Sequence, residues 1–239
     1  MPNVMNLFYT TQIEGNLAIL PTEEARHCVQ VLRKKPGDPI RFIDGKGNVY
    51  SGNILEVSKK RCSVRIVDSH REANLPAVAI HIAIAPTKNI SRMEWFLEKA
   101  TEIGISEITP IWCDHSERSR LRVDRLEKII LSATKQSLKA WLPRLNPPVK
   151  FKDFLAELPD NGAQRCIAYC NDDERELLKD CYKSGKDVLI MIGPEGDFSP
   201  QEVLLALEKD FTGVSLGKSR LRTETAGIVA CHTLNLLNG

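Results

Sequence analysis

The sequence predicts an α/β fold in two parts: a small β-barrel, then a larger domain built on a mostly parallel sheet. Two observations predict it. From residue 76 onward, apolar strand-like runs alternate with helical periodicity, the alternation that builds parallel sheets. Before residue 70 the runs are short, rich in β-formers and separated by tight turns, as in small barrels. A chain of 239 residues holds one large domain or two modest ones. The pattern changes over residues 70–76, so the expected domains are 1–72 and 73–239.

In the first part, Asp38–Asp44, Val49–Val57 and Ser63–Val67 read as strands. Lys35-Pro36-Gly37-Asp38 and Asp44-Gly45-Lys46-Gly47-Asn48 are the turns between them. One helix interrupts the strands: Thr22 caps it, Glu23 and Glu24 suit its first turn, and Cys28, Val31 and Leu32 lie on one face.

In the second part, Val78–Ala85 is apolar throughout except for His81, as expected of a strand buried on both faces. Ser91 with Glu94 reads as a capping box, and Met93, Phe96, Leu97 and Ala100 form the apolar stripe of the helix that ends at Gly104. Glu107–Trp112 is the second strand, followed by a helix over Asp124–Leu138 with Leu126, Ile129, Ile130 and Ala133 inward. Arg165–Cys170 is the third strand, and Asp172–Tyr182 reads as a helix with acids in its first turn. Asp187–Gly193 is the fourth strand. Ser199-Pro200-Gln201-Glu202 then opens a helix with an N-cap, a proline at the first helical position and a glutamate. Val214–Leu216 is a short fifth strand, and Arg222–Leu237 the terminal helix, with Ala226, Val229, Ala230, Leu234 and Leu237 on one face.

Composition narrows the function classes. Hydrophobic residues are 42% and charged residues 27%, which excludes a disordered or collagen-like chain. The longest nearly uncharged stretch, Leu75–Pro86, is too short to span a bilayer, and the first residues lack the basic and apolar regions of a signal peptide. The seven cysteines form no C-x-x-C pair, and the histidines have no zinc-ligand spacing, so no disulfide framework or metal site is expected and the reading is cytoplasmic. The net charge of +2 hides an uneven distribution. Residues 1–75 carry 11 Lys and Arg against 8 Asp and Glu, and residues 112–144 carry 8 against 4. Two basic segments point to a polyanionic partner, or are simply solvated surface.

Ligands of open parallel sheets bind outside the carboxyl ends of the strands. That places chemistry at three segments: Ala168-Tyr169-Cys170, Gly193-Pro194-Glu195-Gly196-Asp197, and Leu216 to Arg220. The chain lacks G-x-x-x-x-G-K-[ST] and G-x-G-x-x-G, so neither a phosphate loop nor a dinucleotide fingerprint is present. Glu195 would repel a pyrophosphate and suits a cationic or hydroxyl-bearing ligand; an ordinary strand–helix turn is the alternative. In Ser215–Ala226, Arg220, Arg222, Glu224, Thr223 and Thr225 cluster between a strand and a helix, as an anion site or as an N-cap by Thr223 with surface ion pairs. Arg118, Arg120, Arg122 and Arg125 with Lys128, Lys135 and Lys139 form a third, positive stretch able to track phosphates. Arg26, His27, Arg33, Lys34 and Lys35 make a weaker one.

Together these residues resemble the RsmE-type 16S ribosomal RNA (uracil-N3) methyltransferases of the SPOUT superfamily. The resemblance rests on Ile192-Gly193-Pro194-Glu195-Gly196-Asp197-Phe198-Ser199 paired with Ser215–Ala226. Arg26–Arg33 matches the N-terminal motif, and Glu98–Gly104 and Lys135-Gln136-Ser137 match middle motifs. Asp197 stands where the family usually has glycine, and Lys135 and Lys139 where it has glutamate and arginine.

The resemblance implies a PUA-like β-barrel that helps bind RNA and a C-terminal α/β-knot domain with a trefoil knot that binds S-adenosylmethionine. It implies a homodimer acting on 16S ribosomal RNA or the small ribosomal subunit. It places the cofactor at Ala168, Tyr169, Ile192, Gly193, Pro194, Glu195, Gly196, Leu216, Gly217, Leu221, Arg222 and Thr225. Placed beside the cofactor loop, Arg222 is the candidate that stabilises a uracil anion and Glu224 the candidate that orients it or accepts the proton. Arg26, His27, Arg33, Lys34, Arg118, Arg120 and Lys139 would face RNA. The competing readings are a ribosome-associated RNA-binding protein without catalysis and an α/β enzyme with another nucleotide-like ligand.

Overall fold

A computed structural model describes residues 6–58, 61–73, 76–170 and 175–239. The chain divides into two compact units, Met1–Leu75 with Leu131–Leu142, and Pro76–Ile130 with Pro143–Gly239. Leu131–Leu142 is grouped with the first unit.

The first unit is a six-stranded sheet in the order β1-β4-β5-β6-β3-β2. Its strands are β1 (Leu7–Tyr9), β2 (Gln12–Glu14), β3 (Leu17–Leu20), β4 (Pro39–Ile43), β5 (Asn48–Val57) and β6 (Cys62–Arg71). Only β1 and β4 run parallel. The first three strands are too short for periodicity to reveal. Phe8, Leu20, Phe42, Ile54 and Val64 fill its core, and the rings of Phe42 and Tyr50 stack 5.0 Å apart.

The expected helix is two pieces: α1 (Thr22–Arg26), then a π-helical turn over His27–Val31. Pro21, not Thr22, is the N-cap, and it makes no side-chain cap. The wider π turn also breaks the expected face, burying Cys28 but leaving Val31 64% exposed. Glu24 is no solvated first-turn acid: it is buried, and Lys135 Nζ lies 2.5 Å from its Oε1. Lys135 is therefore committed to an internal ion pair.

The second unit holds a seven-stranded sheet of order β10-β8-β7-β12-β11-β13, with β9 on β8. The strands are β7 (Ile80–Ile84), β8 (Glu107–Trp112), β9 (Arg144–Leu145), β10 (Val149–Lys150), β11 (Gln164–Ala168), β12 (Val188–Ile192) and β13 (Thr212–Val214). Every pairing is parallel. Every residue of β12 is buried, as its unbroken apolar sequence requires, at ~1.5–3 kcal/mol per large aliphatic side chain.

The helices are α2 (Ile90–Ile103), α3 (Val123–Gln136), α4 (Phe151–Ala156), α5 (Leu178–Cys181), α6 (Pro200–Leu207) and α7 (Thr223–Leu236). The α2 stripe of Met93, Phe96, Leu97 and Ala100 is buried, and Gly104 closes the helix at φ 132°. Its cap differs from the expected one. Asn89 accepts from the Ser91 N–H at 3.1 Å, so the helix begins before Ser91, and Glu94 pairs with Arg125 at 2.6 Å instead. Ser199 and Glu202 form the full capping box of α6 with Pro200 in its first turn.

The helix expected over Asp172–Tyr182 is only α5 where described. Residues 171–174 lie outside the described residues. Leu177 instead pairs with Ser215 as an extension of the sheet, which outweighs helical propensity there. In α7 the buried face is Thr223, Glu224, Gly227, Ala230, Cys231 and Leu234, rotated from the expected one so that Ala226, Val229 and Leu237 are only half-buried. No helix among the described residues is long and apolar enough to cross a membrane.

Candidate active site

The carboxyl ends of β12, β11 and β13 are consecutive in the sheet. With strands ≈ 4.8 Å apart, the bends after β12 and β13 lie roughly 10 Å from each other, with the end of β11 between them. This brings the three segments singled out in the sequence to one edge, as the rule for parallel sheets requires.

The bend after β12 is tied down on several sides. Gly193 and Pro194 are buried. A Cβ on Gly193 would lie 3.1 Å from the Phe198 ring, and one on Gly196 would lie 3.1 Å from His115 Cβ. These glycines therefore answer first to protein neighbours. His115 Nδ1–H donates to the carbonyls of Asp197 (2.9 Å) and Gly196 (3.1 Å). The Lys88 N–H donates to Glu195 Oε1 at 2.9 Å, leaving Glu195 Oε2 buried with no hydrogen-bond partner. Half of that carboxylate is thus structural and half is open to a donor.

Asp197 has φ 65°, which explains why glycine suits the position. Aspartate tolerates this left-handed backbone, and its side chain is put to use. Oδ2 accepts from the Cys170 N–H at 2.6 Å and Oδ1 from the Phe198 N–H at 2.8 Å, linking the end of β11 to the bend.

The bend after β13 is open. Gly217 has φ 125° and nothing within 4 Å of its Cβ position. Ser215 is held by backbone bonds to Glu176 and Leu178, but Gly217 to Arg220 are exposed. Arg222 is the N-cap of α7 and its side chain is exposed; Thr223, expected as the cap, is instead the first helical residue and buried. Glu224 is 6% exposed, and its Oε2 is buried with no hydrogen-bond partner. A buried, unsatisfied carboxylate oxygen is costly and seldom left without purpose. Its one ion pair is to Arg92, whose Nε lies 3.7 Å from Oε1.

Burial pushes the Cys166 thiol up to about 12 and raises that of Cys113 as well. Among the described residues no group of His, Cys, Asp and Glu could hold a metal ion.

Comparison with known proteins decides the family. Residues 73–235 match the family described as RNA methyltransferase domain, and residues 20–67 match RNA methyltransferase PUA domain. The chain belongs to the RNA methyltransferase family. Among its relatives is the Ribosomal RNA small subunit methyltransferase E of Aquifex aeolicus, 30% identical over 226 residues, spanning 93% of this chain and 95% of that protein. The enzyme of the same name from Synechocystis is 28% identical over 230 residues, spanning 95% of this chain and 75% of that one. A solved structure named probable rRNA-methyltransferase, from Porphyromonas gingivalis, is 46% identical with a TM-score of 0.88 over 97% of this chain and 99% of that one. The small subunit methyltransferase E of Neisseria gonorrhoeae, solved bound to S-adenosyl methionine, is 28% identical with a TM-score of 0.85 over 98% of each chain.

In this RNA methyltransferase the expected RNA-facing residues fall into two sets. In the first unit Arg26, His27 and Arg33 are exposed, while Lys34 Nζ donates to the Pro39 carbonyl at 2.9 Å and Lys139 is half-buried. In the second unit Arg120 is exposed, but Arg118 is occupied. Its guanidinium donates to the carbonyls of Thr87 (3.0 Å) and Lys88 (2.6 Å), bracing the loop after β7. Three site residues were not legible in the sequence: Arg92, His115 and Arg175, whose guanidinium lies 4.1 Å over the Tyr169 ring. Arg92 and His115 act across long sequence separations, to Glu224 and to Gly196 and Asp197. Only the family's motif spacing could have hinted at Arg92, which sits beside the stripe of α2.

Proposed function

We propose that this chain transfers the methyl group of S-adenosylmethionine to N3 of a uridine in 16S ribosomal RNA. The observation that carries the reading is one edge of the sheet. There an open glycine bend, an exposed Arg222 and a buried Glu224 with a free acceptor oxygen meet at the start of α7. The names of the relatives and the cofactor in the Neisseria structure support the same chemistry.

The residues present fit the cofactor. Glu195 Oε2 offers a buried acceptor for a hydroxyl or amine, and the space at Gly217 would be narrowed by any side chain. Ala168, Tyr169, Ile192, Pro194, Gly196, Leu216, Leu221 and Thr225 complete the surround. S-adenosylmethionine, when bound, supplies a methyl group on an electrophilic sulfonium.

Uridine N3 carries a proton at neutral pH and is a poor nucleophile until it is lost. Glu224, in the first turn of α7, accepts that proton at Oε2. The Arg222 guanidinium stabilises the resulting uracil anion. N3 lies on the pairing edge, so the base is presented unpaired or turned out of its stack. The exposed Arg26, His27, Arg33 and Arg120 hold phosphates, and Lys34, Arg118 and Lys139 contribute less than charge alone suggests.

The reading includes the cytoplasm as the working compartment, the α/β knot as the frame of the site and a homodimer as the working form. Exposed Trp95 and Leu236 on α2 and α7 offer apolar surface to a second copy. Mass spectrometry of ribosomal RNA from a strain lacking the gene tests the activity. The expected outcome is loss of one 3-methyluridine, restored by the protein and not by the Glu224→Gln variant. Unchanged modification in the deletion strain would overturn the reading. Calorimetry without heat on adding S-adenosylmethionine would favour a binding protein instead.

A further inference from the structure

We propose that Arg92 is a positioning residue for Glu224: it holds one carboxylate oxygen so that the other stays aimed and free for the substrate. The inference rests on the role proposed above for Glu224.

Helices α2 and α7 pack against each other. The two helices run parallel and in register. Phe96 faces Gly227, Cys231 Sγ donates to the Ala100 carbonyl at 3.8 Å, and a Cβ on Gly104 would lie 2.8 Å from Asn235 Oδ1. The close approach depends on Gly227: a Cβ there would come within 2.6 Å of the Phe96 ring and 3.1 Å of Ile84 Cδ1. One turn towards the N-termini, the same register sets Arg92 beside Glu224, with Nε 3.7 Å from Oε1.

The pair is asymmetric. The Glu224 side chain is 8% exposed and that of Arg92 37%. At 3.7 Å the contact at Oε1 is an ion pair rather than a hydrogen bond. Oε2 has no hydrogen-bond partner among the described residues. A carboxylate meant only to brace two helices would be expected to find hydrogen bonds for both oxygens, as Glu202 does with the N–H groups of Asp114 and Ser199. Glu224 is instead held at one oxygen and unsatisfied at the other, the arrangement of an acceptor waiting for a donor.

Methyl transfer to small-subunit ribosomal RNA is to be measured for Arg92→Met, Arg92→Lys, Glu224→Gln and the Arg92→Met/Glu224→Gln double variant. Melting temperature and affinity for S-adenosylmethionine by calorimetry are to be measured in parallel. Arg92→Met is expected to lower kcat about 10- to 100-fold, with KM for RNA and cofactor affinity within twofold of the parent. Arg92→Lys is expected to restore most of the rate. The double variant is expected to be no slower than Glu224→Gln alone, the non-additivity of a pair acting as one unit. Should Arg92→Met fold poorly, Arg92→Gln carries the same comparison.

Unchanged kcat in Arg92→Met, or a raised KM for RNA with kcat intact, would overturn the proposal while leaving Glu224 in its role. Full turnover by Glu224→Gln would remove the role itself, and the present proposal with it.

Discussion

The two bends at the edge of the parallel sheet are made from similar residues and behave differently. The bend after β12 is buried at Gly193 and Pro194 and tied by His115, Lys88 and Cys170, and a Cβ on either of its glycines would crowd a protein neighbour. The bend after β13 is exposed, and Gly217 is required only by its backbone angle. One is a fixed floor, and the other a lip with room above it. A glycine-bearing loop in a sequence therefore does not say which of these it is; the neighbours decide.

The comparison breaks most visibly at Arg222. Its side chain is exposed, so Arg222→Ala should leave the melting temperature unchanged. Turnover on ribosomal RNA should fall by about 10²–10³, the usual effect of removing one group that stabilises developing charge. A stability loss without a rate loss would make the lip structural after all.

Gly193→Ala should do the reverse. The added methyl meets the buried Phe198 ring, which already packs against Phe151 at 5.6 Å and cannot retreat. The expected cost is about 1–3 kcal/mol, read as a lowered melting temperature. Unchanged stability would mean the floor is less rigid than its contacts imply.

Gly217→Ala sharpens the contrast, since it meets no neighbour and is strained only by φ 125°. A residue held in a sparsely populated backbone region costs of order 1–3 kcal/mol. Because the loop is free to shift, the effect should emerge as weaker calorimetric binding of S-adenosylmethionine, about tenfold, rather than as global destabilisation.

The smallest effect lies at the opposite end of the same sheet. His81 bonds Thr109 at 2.7 Å, and burial holds its imidazole below the ordinary value, with Glu107 opposing and Arg144 adding to the shift. The unfolded chain takes up a proton near pH 6.5 and the folded chain does not, so stability is full above that pH and declines below it. His81→Gln should flatten the fall in melting temperature between about pH 7 and 5. Turnover should not change, because the site edge is remote from this residue.

Some features were legible because they are local. The apolar run of β12, the stripe of α2 and the Ser199–Glu202 capping box depend on residues within one or two turns of each other. The strand-end segments were legible because topology carries the carboxyl ends of parallel strands to one edge. The misread parts have the opposite character. Leu177 leaves its helical pattern to pair with Ser215, and Asn89 rather than Ser91 caps α2. Lys135 and Arg118 read as free charge, yet one is matched by Glu24, 111 positions away in sequence, and the other by two backbone carbonyls.

Local pattern in the chain carries the two-part α/β architecture, the gathering of three strand-end loops at one edge and, through its motifs, the family. Periodicity and turn residues act over a few positions, and motifs preserve spacing. Long-range packing sets which loop is floor and which is lip, which cations are spent on internal partners, and that a parallel helix pair brings Arg92 to Glu224. Those outcomes depend on burial and on distances between residues far apart in the chain, and no local pattern encodes them.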